Sequence, residues 1–395
     1  MSLETLAVGM DDDLFVQFID QLRRYVRERL IPVERDIVET DEIPQAIIEE
    51  MRDLGLFGLT IPEEFGGAGM HTSQYVQTIR ELAYAMPCFR SIISINIGMV
   101  CSALKNGGTA GQKATWLPRL AAGDIAAFGL TEPGSGTDSA AMQTRATRTD
   151  TGWVINGTKR YITNAPHAKV AIIMARTSKE SLPKNAHVSA FIMPMDTLGV
   201  TVGKKDKKMG QAASNIADII MENVHLPFDA LLGLEEGKGF AIAMKSLDNG
   251  RLSVGAASAG HARRALDSAM RYATERQAFG EPIANFQLIQ EMLAESEVEI
   301  YAAECMLEDA ARRADAGENV LRKAAAAKVF ASEACGRIVD RVVQIYGGAG
   351  YLAEYDAERF FRDARVYRIY EGTTQILFLQ IAKHMLRDFA AHGSA

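Results

Sequence analysis

A chain of 395 residues, 48% of them hydrophobic, can bury a large core, and its length suggests two or three structural units rather than one small binding module. The net charge of −7, without any long basic run, removes the electrostatic footprint expected of a nucleic-acid binder. The four cysteines, Cys88, Cys101, Cys305 and Cys335, form no CxxC pair, and none of the seven histidines stands at metal-ligand spacing beside a second ligand, so neither a metal site nor a disulfide framework is expected.

The first residues, MSLETLAVGMDDD, carry acid where a secretion signal needs positive charge followed by an apolar stretch. No apolar run approaches the length needed to cross a bilayer, so a cytoplasmic protein without membrane insertion is expected. From Leu14 to Leu120 the pattern is helical, with amphipathic stretches over 15–38 and 43–54 and a glycine-rich break at 65–69. Between Ala126 and Leu232 the texture changes to short β-branched and aromatic runs over 153–155, 161–163, 170–174 and 188–193. Turn residues such as Asp150-Thr-Gly152 and Asn156-Gly157 divide them. The short cationic cluster 204–208 reads as a solvated turn. From Gly239 to Phe389 the chain returns to long, alanine-rich helices over 261–276, 286–315 and 319–344, broken at 346–350.

The expected fold is α+β: an N-terminal helical domain (1–125), a central antiparallel β domain (126–234) and a C-terminal four-helix-bundle domain (235–395). The order α, β, α without alternating βαβ units argues against a doubly wound nucleotide fold. Gly348-Ala-Gly350-Tyr-Leu-Ala353 formally matches a dinucleotide fingerprint, yet it follows a helix and lacks the required strand before it.

The most informative stretch is Ile369-Tyr-Glu371-Gly-Thr-Thr-Gln375, where one carboxylate sits between an aromatic residue and a glycine just ahead of a helix whose apolar positions are Ile376, Leu379, Leu386 and Phe389. Thr373 or Thr374 can cap that helix. Burial would push the Glu371 carboxyl up while the helix N-terminus favours its ionised form, so Glu371 reads either as a base or as a simple complement to the helix dipole. Leu130-Thr131 beside Gly134–Thr137 is a loop of hydroxyls and open backbone N–H groups, suited to the polar edge and phosphates of a dinucleotide or else an ordinary connector. Arg276 can grip phosphate as a planar fork or stand as a surface charge, and Arg90 can hold an anion or begin a solvated helix.

Taken together, several motifs make the chain resemble the acyl-CoA dehydrogenase family over residues 15–390. They are Phe128-Gly-Leu-Thr-Glu-Pro-Gly-Ser-Gly-Thr137-Asp138, Asn156-Gly-Thr-Lys-Arg-Tyr-Ile-Thr163-Asn164, Asp248-Asn-Gly-Arg251, Glu275-Arg276-Gln-Ala-Phe279-Gly280, Gln344-Ile-Tyr-Gly-Gly348 and Tyr370-Glu371-Gly372-Thr373. The resemblance implies that FAD is bound by Phe128, Leu130, Thr131, Gly136, Thr137, Tyr161, Ile162 and Thr163. It adds Arg276, Phe279, Gln287, Gln344, Ile345, Gly347, Gly348, Thr373 and Gln375, some of which reach a cofactor held mainly by a neighbouring subunit. A homo-oligomer, often a tetramer, is therefore implied. Thr137, Phe240, Asp248, Arg251 and Gly372 fall on the family's acyl-CoA side. Glu371 is implied as the base that removes the α-proton, with hydride passing to flavin N5 and the Glu371 N–H gripping the thioester carbonyl.

Some branches of the family place the acid at the position occupied here by Gly250. Electron-transfer flavoprotein is the implied electron acceptor. Arg90 and Ser94 are similar to the glutaryl-CoA branch, whereas Asp248–Arg251 looks like short-chain and branched-chain members. Rival readings are a flavin monooxygenase or oxidase, an acyl-carrier-protein dehydrogenase on the same scaffold, and a catalytically silent helical interaction protein.

Overall fold

A computed structural model describes residues 10–177 and 187–392. Asp11 caps the first helix by accepting from the N–H groups of Asp13 and Leu14, so the acidic start that argues against a secretion signal also serves a helix terminus. The N-terminal helices are α1 (Asp12–Tyr25), α2 (Glu34–Thr40), α3 (Gln45–Asp53), α4 (Thr72–Leu82), α5 (Pro87–Ser94), α6 (Cys101–Gly107) and α7 (Ala110–Ala121). A π-helical turn, Ile95–Val100, joins α5 to α6. The resulting helical stretch Pro87–Gly107 has the length and apolar character of a membrane span, although Arg90 and Asn96 interrupt its apolar run. Inside the fold, 89% of its apolar window is buried, as in a core helix.

The strands are β1 (Ala126–Gly129), β2 (Arg145–Arg148), β3 (Trp153–Thr163), β4 (Val170–Arg176), β5 (Val188–Pro194), β6 (Val200–Val202) and β7 (Ile216–Leu226), forming one seven-stranded sheet. Most pairings are antiparallel, as expected, but β1 lies parallel to β4. Alternation sorts the side chains. Val170, Ile172 and Met174 of β4 join a core shared with Leu104, Leu117 and Ile242, while Ala171, Ile173 and Ala175 pack with Trp153, Ile219 and Phe191 on the opposite face. Asn156-Gly157 corrects the expectation of a turn: it lies within β3. The Asn156 side chain accepts from the Asn223 N–H, the register slips beside it, and a Cβ at Gly157 would stand 2.5 Å from the Thr144 hydroxyl oxygen.

The C-terminal part contains α8 (Gly239–Glu275), the short hairpin β8 (Gln277–Ala278) and β9 (Glu281–Pro282), then α9 (Gln287–Asp315), α10 (Leu321–Tyr346), α11 (Asp356–Ala364) and α12 (Thr374–His392). Helix α10 packs against α8, α9 and α12. A buried ionic cluster ties the domains together. Arg359 donates to Glu34 at 2.8 Å, Glu34 accepts from the Met86 N–H at 2.9 Å, and Asp363 accepts from the Gln211 N–H. Gln112, on α7, donates to the Asp229 and Leu231 carbonyls and so fixes the N-terminal helices to the end of the β domain.

Candidate active site

A cavity of about 180 Å³ lies where the three parts meet. Helices α4 and α5 and the π turn supply Tyr75, Arg90, Ser91, Ser94, Ile95, Gly98 and Met99. The β domain supplies Phe128, Leu130, Thr131, Tyr161, Ile162, Thr163 and Ser214, helix α8 supplies Leu247, Gly250 and Ser253, and the loop before α12 supplies Tyr370 and Glu371. A π turn widens a helix locally, and such turns often mark functional sites.

Glu371 lies in the loop before α12 with φ 55°, and Gly372 follows at φ 95°. A non-glycine residue in this left-handed region costs free energy, so the surroundings must hold it there. The Glu371 carboxylate rests directly over Gly250 of α8: a Cβ on Gly250 would stand 2.5 Å from Oε2, 2.7 Å from Cδ and 2.9 Å from Oε1. The bare glycine thus makes the room the acid occupies. Thr373 caps α12 through the Ile376 N–H, and the Thr374 hydroxyl instead donates to Glu333 at 2.7 Å.

On the β-domain wall, a bulge displaces Arg160 and Tyr161 from register with β7, and Tyr161 takes φ 58°. The preceding loop is fixed from behind. Lys159 and Glu132, both buried, pair at 2.7 Å; Glu132 also accepts from the N–H groups of Gln143 and Thr144, and Lys159 donates to the Leu130 carbonyl at 3.3 Å. Burial pulls the Lys159 ammonium down to about 8 against the attraction of Glu132. Burial also pushes the Glu132 carboxyl up, but Lys159 and the backbone donors outweigh it and hold it below its ordinary value.

Arg90 is 6% exposed. Its Nη2 donates to the Ser253 Oγ at 2.8 Å, the same oxygen that accepts from the Tyr75 hydroxyl at 2.9 Å. The Arg90 Nε has no hydrogen-bond partner, and among the described residues no carboxylate lies within ion-pair distance of this guanidinium. The Ser94 hydroxyl is turned to the Ser91 carbonyl.

The sequence-derived residues therefore separate into groups. Arg90, Ser94, Phe128, Leu130, Thr131, Tyr161, Ile162, Thr163 and Glu371 share the cavity. Gly136, Thr137 and Gln375 are exposed, Gly372 and Thr373 are half-buried beside Glu371, and Arg251 is buried. Phe240 packs at the start of α8 against the core shared with the sheet, and the side chain of Asp248 lies outside the described residues. Arg276, Phe279, Gln287, Gln344, Gly347 and Gly348 do not line the cavity; they are exposed, with Ile345 buried beneath them. Tyr272 of α8 stacks on Tyr346 of α10 with ring centroids 4.0 Å apart, which brings the segments carrying Arg276 and Gly347 to one end of the bundle. Tyr75, Ser214, Leu247 and Ser253 were not found from the sequence because each is a single residue outside any motif.

The chain matches the family models for the acyl-CoA dehydrogenase N-terminal domain over 15–124, middle domain over 127–224 and C-terminal domain over 237–386. It is 39% identical over 368 residues to the short-chain specific acyl-CoA dehydrogenase of Homo sapiens mitochondria, covering 93% of this chain and 89% of that protein. It is 39% identical over 369 residues to the probable acyl-CoA dehydrogenase YngJ of Bacillus subtilis, covering 93% and 97%. Among solved structures, butyryl-CoA dehydrogenase of Megasphaera elsdenii superposes with TM-score 0.91 at 34% identity, covering 96% of this chain and 99% of that one. A glutaryl-CoA dehydrogenase of Mycobacterium smegmatis in complex with FADH2 gives 0.88 at 31% identity, covering 95% of each. A chain from the structure of the electron transferring flavoprotein of Acidaminococcus fermentans gives 0.92 at 34% identity, covering 98% and 100%.

Helical, β and helical domains meeting at a carboxylate-bearing cavity are the architecture of a flavin-dependent oxidoreductase. The chain belongs to the acyl-CoA dehydrogenase family.

Proposed function

We propose that this protein oxidises an acyl-CoA thioester to the trans-2-enoyl-CoA, with Glu371 removing the α-proton. The observation that carries this reading is the Glu371 carboxylate, held over Gly250 at the wall of the cavity. The opposite wall fits a flavin. Thr131 and Thr163 offer hydroxyls, the β3 bulge frees Tyr161 from the ladder, and a Cβ at Gly134 or Gly136 would meet nothing within 4 Å, leaving room along the loop. FAD bound there by Thr131 and Tyr161–Thr163 would supply the acceptor for the β-hydride. Glu371 would take the α-proton on its carboxylate, and its own N–H would favour the thioester oxygen as enolate charge grows.

Arg276, Phe279, Gln344, Gly347 and Gly348 would meet the cofactor of a neighbouring copy in a homotetramer. Phe279 is 98% exposed and Tyr351 84% exposed, which suits surfaces that a second chain covers. Likeness to a chain from an electron transferring flavoprotein structure supports such a flavoprotein as the electron acceptor. The test is anaerobic mixing with thioester: the wild-type flavin should bleach, while Glu371→Gln should stay yellow yet still bind. Bleaching of the variant at the wild-type rate would remove Glu371 from the base role.

Arg90 favours a second reading, in which the acyl chain ends in a carboxylate. A buried guanidinium that lines the cavity and has no carboxylate partner among the described residues is stabilised by an anion that pairs with it. Arg90→Ala should then lose about 100-fold or more in kcat/KM with glutaryl-CoA while butyryl-CoA changes by less than about threefold. Equal losses on both would return Arg90 to a packing role.

A further inference from the structure

Helix α10 carries a lysine on its buried side. Lys328 is 0% exposed and falls on the stripe that also buries Ala324, Ala331 and Cys335. An ammonium taken out of water is costly unless charge and hydrogen bonds compensate it. Its Nζ donates to the Gly372 carbonyl at 2.9 Å, immediately after Glu371. Further along the same helix, Glu333 accepts from the Thr374 hydroxyl at 2.7 Å and from Arg368 at 3.3 Å. Helix α10 therefore grips the loop before, beside and after the left-handed pair Glu371 and Gly372.

We propose that Lys328 is a positioning residue: its ammonium fixes the loop that presents Glu371 to the cavity and keeps that side chain a carboxylate ready to receive the α-proton. The proposal rests on the dehydrogenase reading above. A neutral donor would satisfy one carbonyl; a buried cation adds attraction for an acid beside it. The charged groups facing Lys328 are Glu371 from the loop, Arg251 from α8 and Glu333 from α10 itself. Burial pulls the ammonium down to about 8, Glu371 opposes that, Arg251 adds to it, and Glu333 opposes it. Lys328 accordingly remains mainly protonated at neutral pH. Tyr75 from α4 and Tyr370 also feel the Glu371 charge, and both phenols also feel Arg90 from α5. Burial pushes both phenols up, so they remain neutral where a carboxylate titrates.

The test compares wild type, Lys328→Met, Lys328→Gln and Lys328→Arg as FAD-loaded full chains. Two readouts are used: the pH dependence of anaerobic flavin reduction by butyryl-CoA and glutaryl-CoA, and infrared difference spectra between each protein and its Glu371→Gln counterpart. Losing the positive charge should move the protonation of Glu371, and the acid limb of the reduction rate, upward by about one pH unit, a loss of about tenfold below the limb. Lys328→Gln, which retains a donor for Gly372, should shift as Lys328→Met does, and Lys328→Arg should restore the wild-type position. Unshifted limbs with uniformly lower rates would reduce Lys328 to a structural tie and overturn the proposal, as would unchanged rates. If the wild-type flavin is not reduced, the dehydrogenase reading fails; the infrared titration separates that outcome, because it reads Glu371 without turnover.

Discussion

Gly250→Ala probes the contact on which the chemistry depends. A methyl group at this position would lie 2.5 Å from the nearest Glu371 oxygen, and ordinary contact begins at 3.4 Å, so the carboxylate must retreat by about 0.9 Å. The contact is with the far end of a flexible side chain rather than with backbone, so the carboxylate can give way. Within α8, alanine replaces the residue least suited to a helix interior other than proline, a gain of about 1 kcal/mol. Stability and activity should therefore move in opposite directions. Thermal unfolding should stay level or rise by a few degrees, while the rate of flavin reduction, followed anaerobically by stopped flow, should fall about 100-fold for a base displaced by nearly an ångström. FAD content and thioester binding should be unchanged. Wild-type reduction would refute the claim that Gly250 makes room for a catalytic carboxylate. A large fall in melting temperature would show that the glycine serves helix packing instead.

Glu132→Ala leaves the Lys159 ammonium buried without its partner and should cost about 3–5 kcal/mol in denaturant unfolding, with Glu132→Ala/Lys159→Met recovering part of that. His261 is fully enclosed, with Nε2 at 3.0 Å from the Phe360 carbonyl, and burial lowers its pKa from 6.5 to about 4. Between those values the unfolded chain binds the proton and the folded one does not, so His261 contributes stability that is lost as pH falls, up to about 3 kcal/mol. His261→Gln should flatten the stability-versus-pH curve by that amount between about pH 6.5 and 4 relative to wild type. An identical slope in both proteins would show that His261 titrates normally. Asp363, pushed up to about 6 by burial, and Glu34, also raised by burial, are present in both proteins and cancel in the comparison.

The three-part order was legible because periodicity and turn chemistry change together near Ala126 and again near Gly239. The loop bearing Glu371 was legible too, since a lone acid stands just ahead of a periodic helix. Helix α8 was harder to read. The sequence suggested a helix opening at Gly239 and again over 261–276, but not one helix that runs unbroken from Gly239 through Gly250, Gly255 and Gly260. Each of those glycines meets a close neighbour: Glu371, the Leu307 side chain and the Arg80 carbonyl respectively. They mark close approach rather than breaks, and one sequence does not show what approaches. Asn156-Gly157 misled for a related reason, because the usual hairpin pair here accommodates Thr144 within a bulged strand. Lys328 did leave a signal: its neighbours three and four residues away, Ala324, Ala325, Ala331 and Ser332, are all small, placing it on the face meant for the core. Tyr75 and Ser253 left none, since their roles arise only when α4 and α8 are brought together.

The most direct measurement is anaerobic titration of the purified protein with straight-chain, branched and dicarboxylic acyl-CoA thioesters, following the visible flavin band. The account predicts that at least one class bleaches the flavin with formation of the enoyl-CoA, and the class that does so names the substrate. A protein that remains yellow with every thioester, or bleaches without forming an enoyl product, would contradict it.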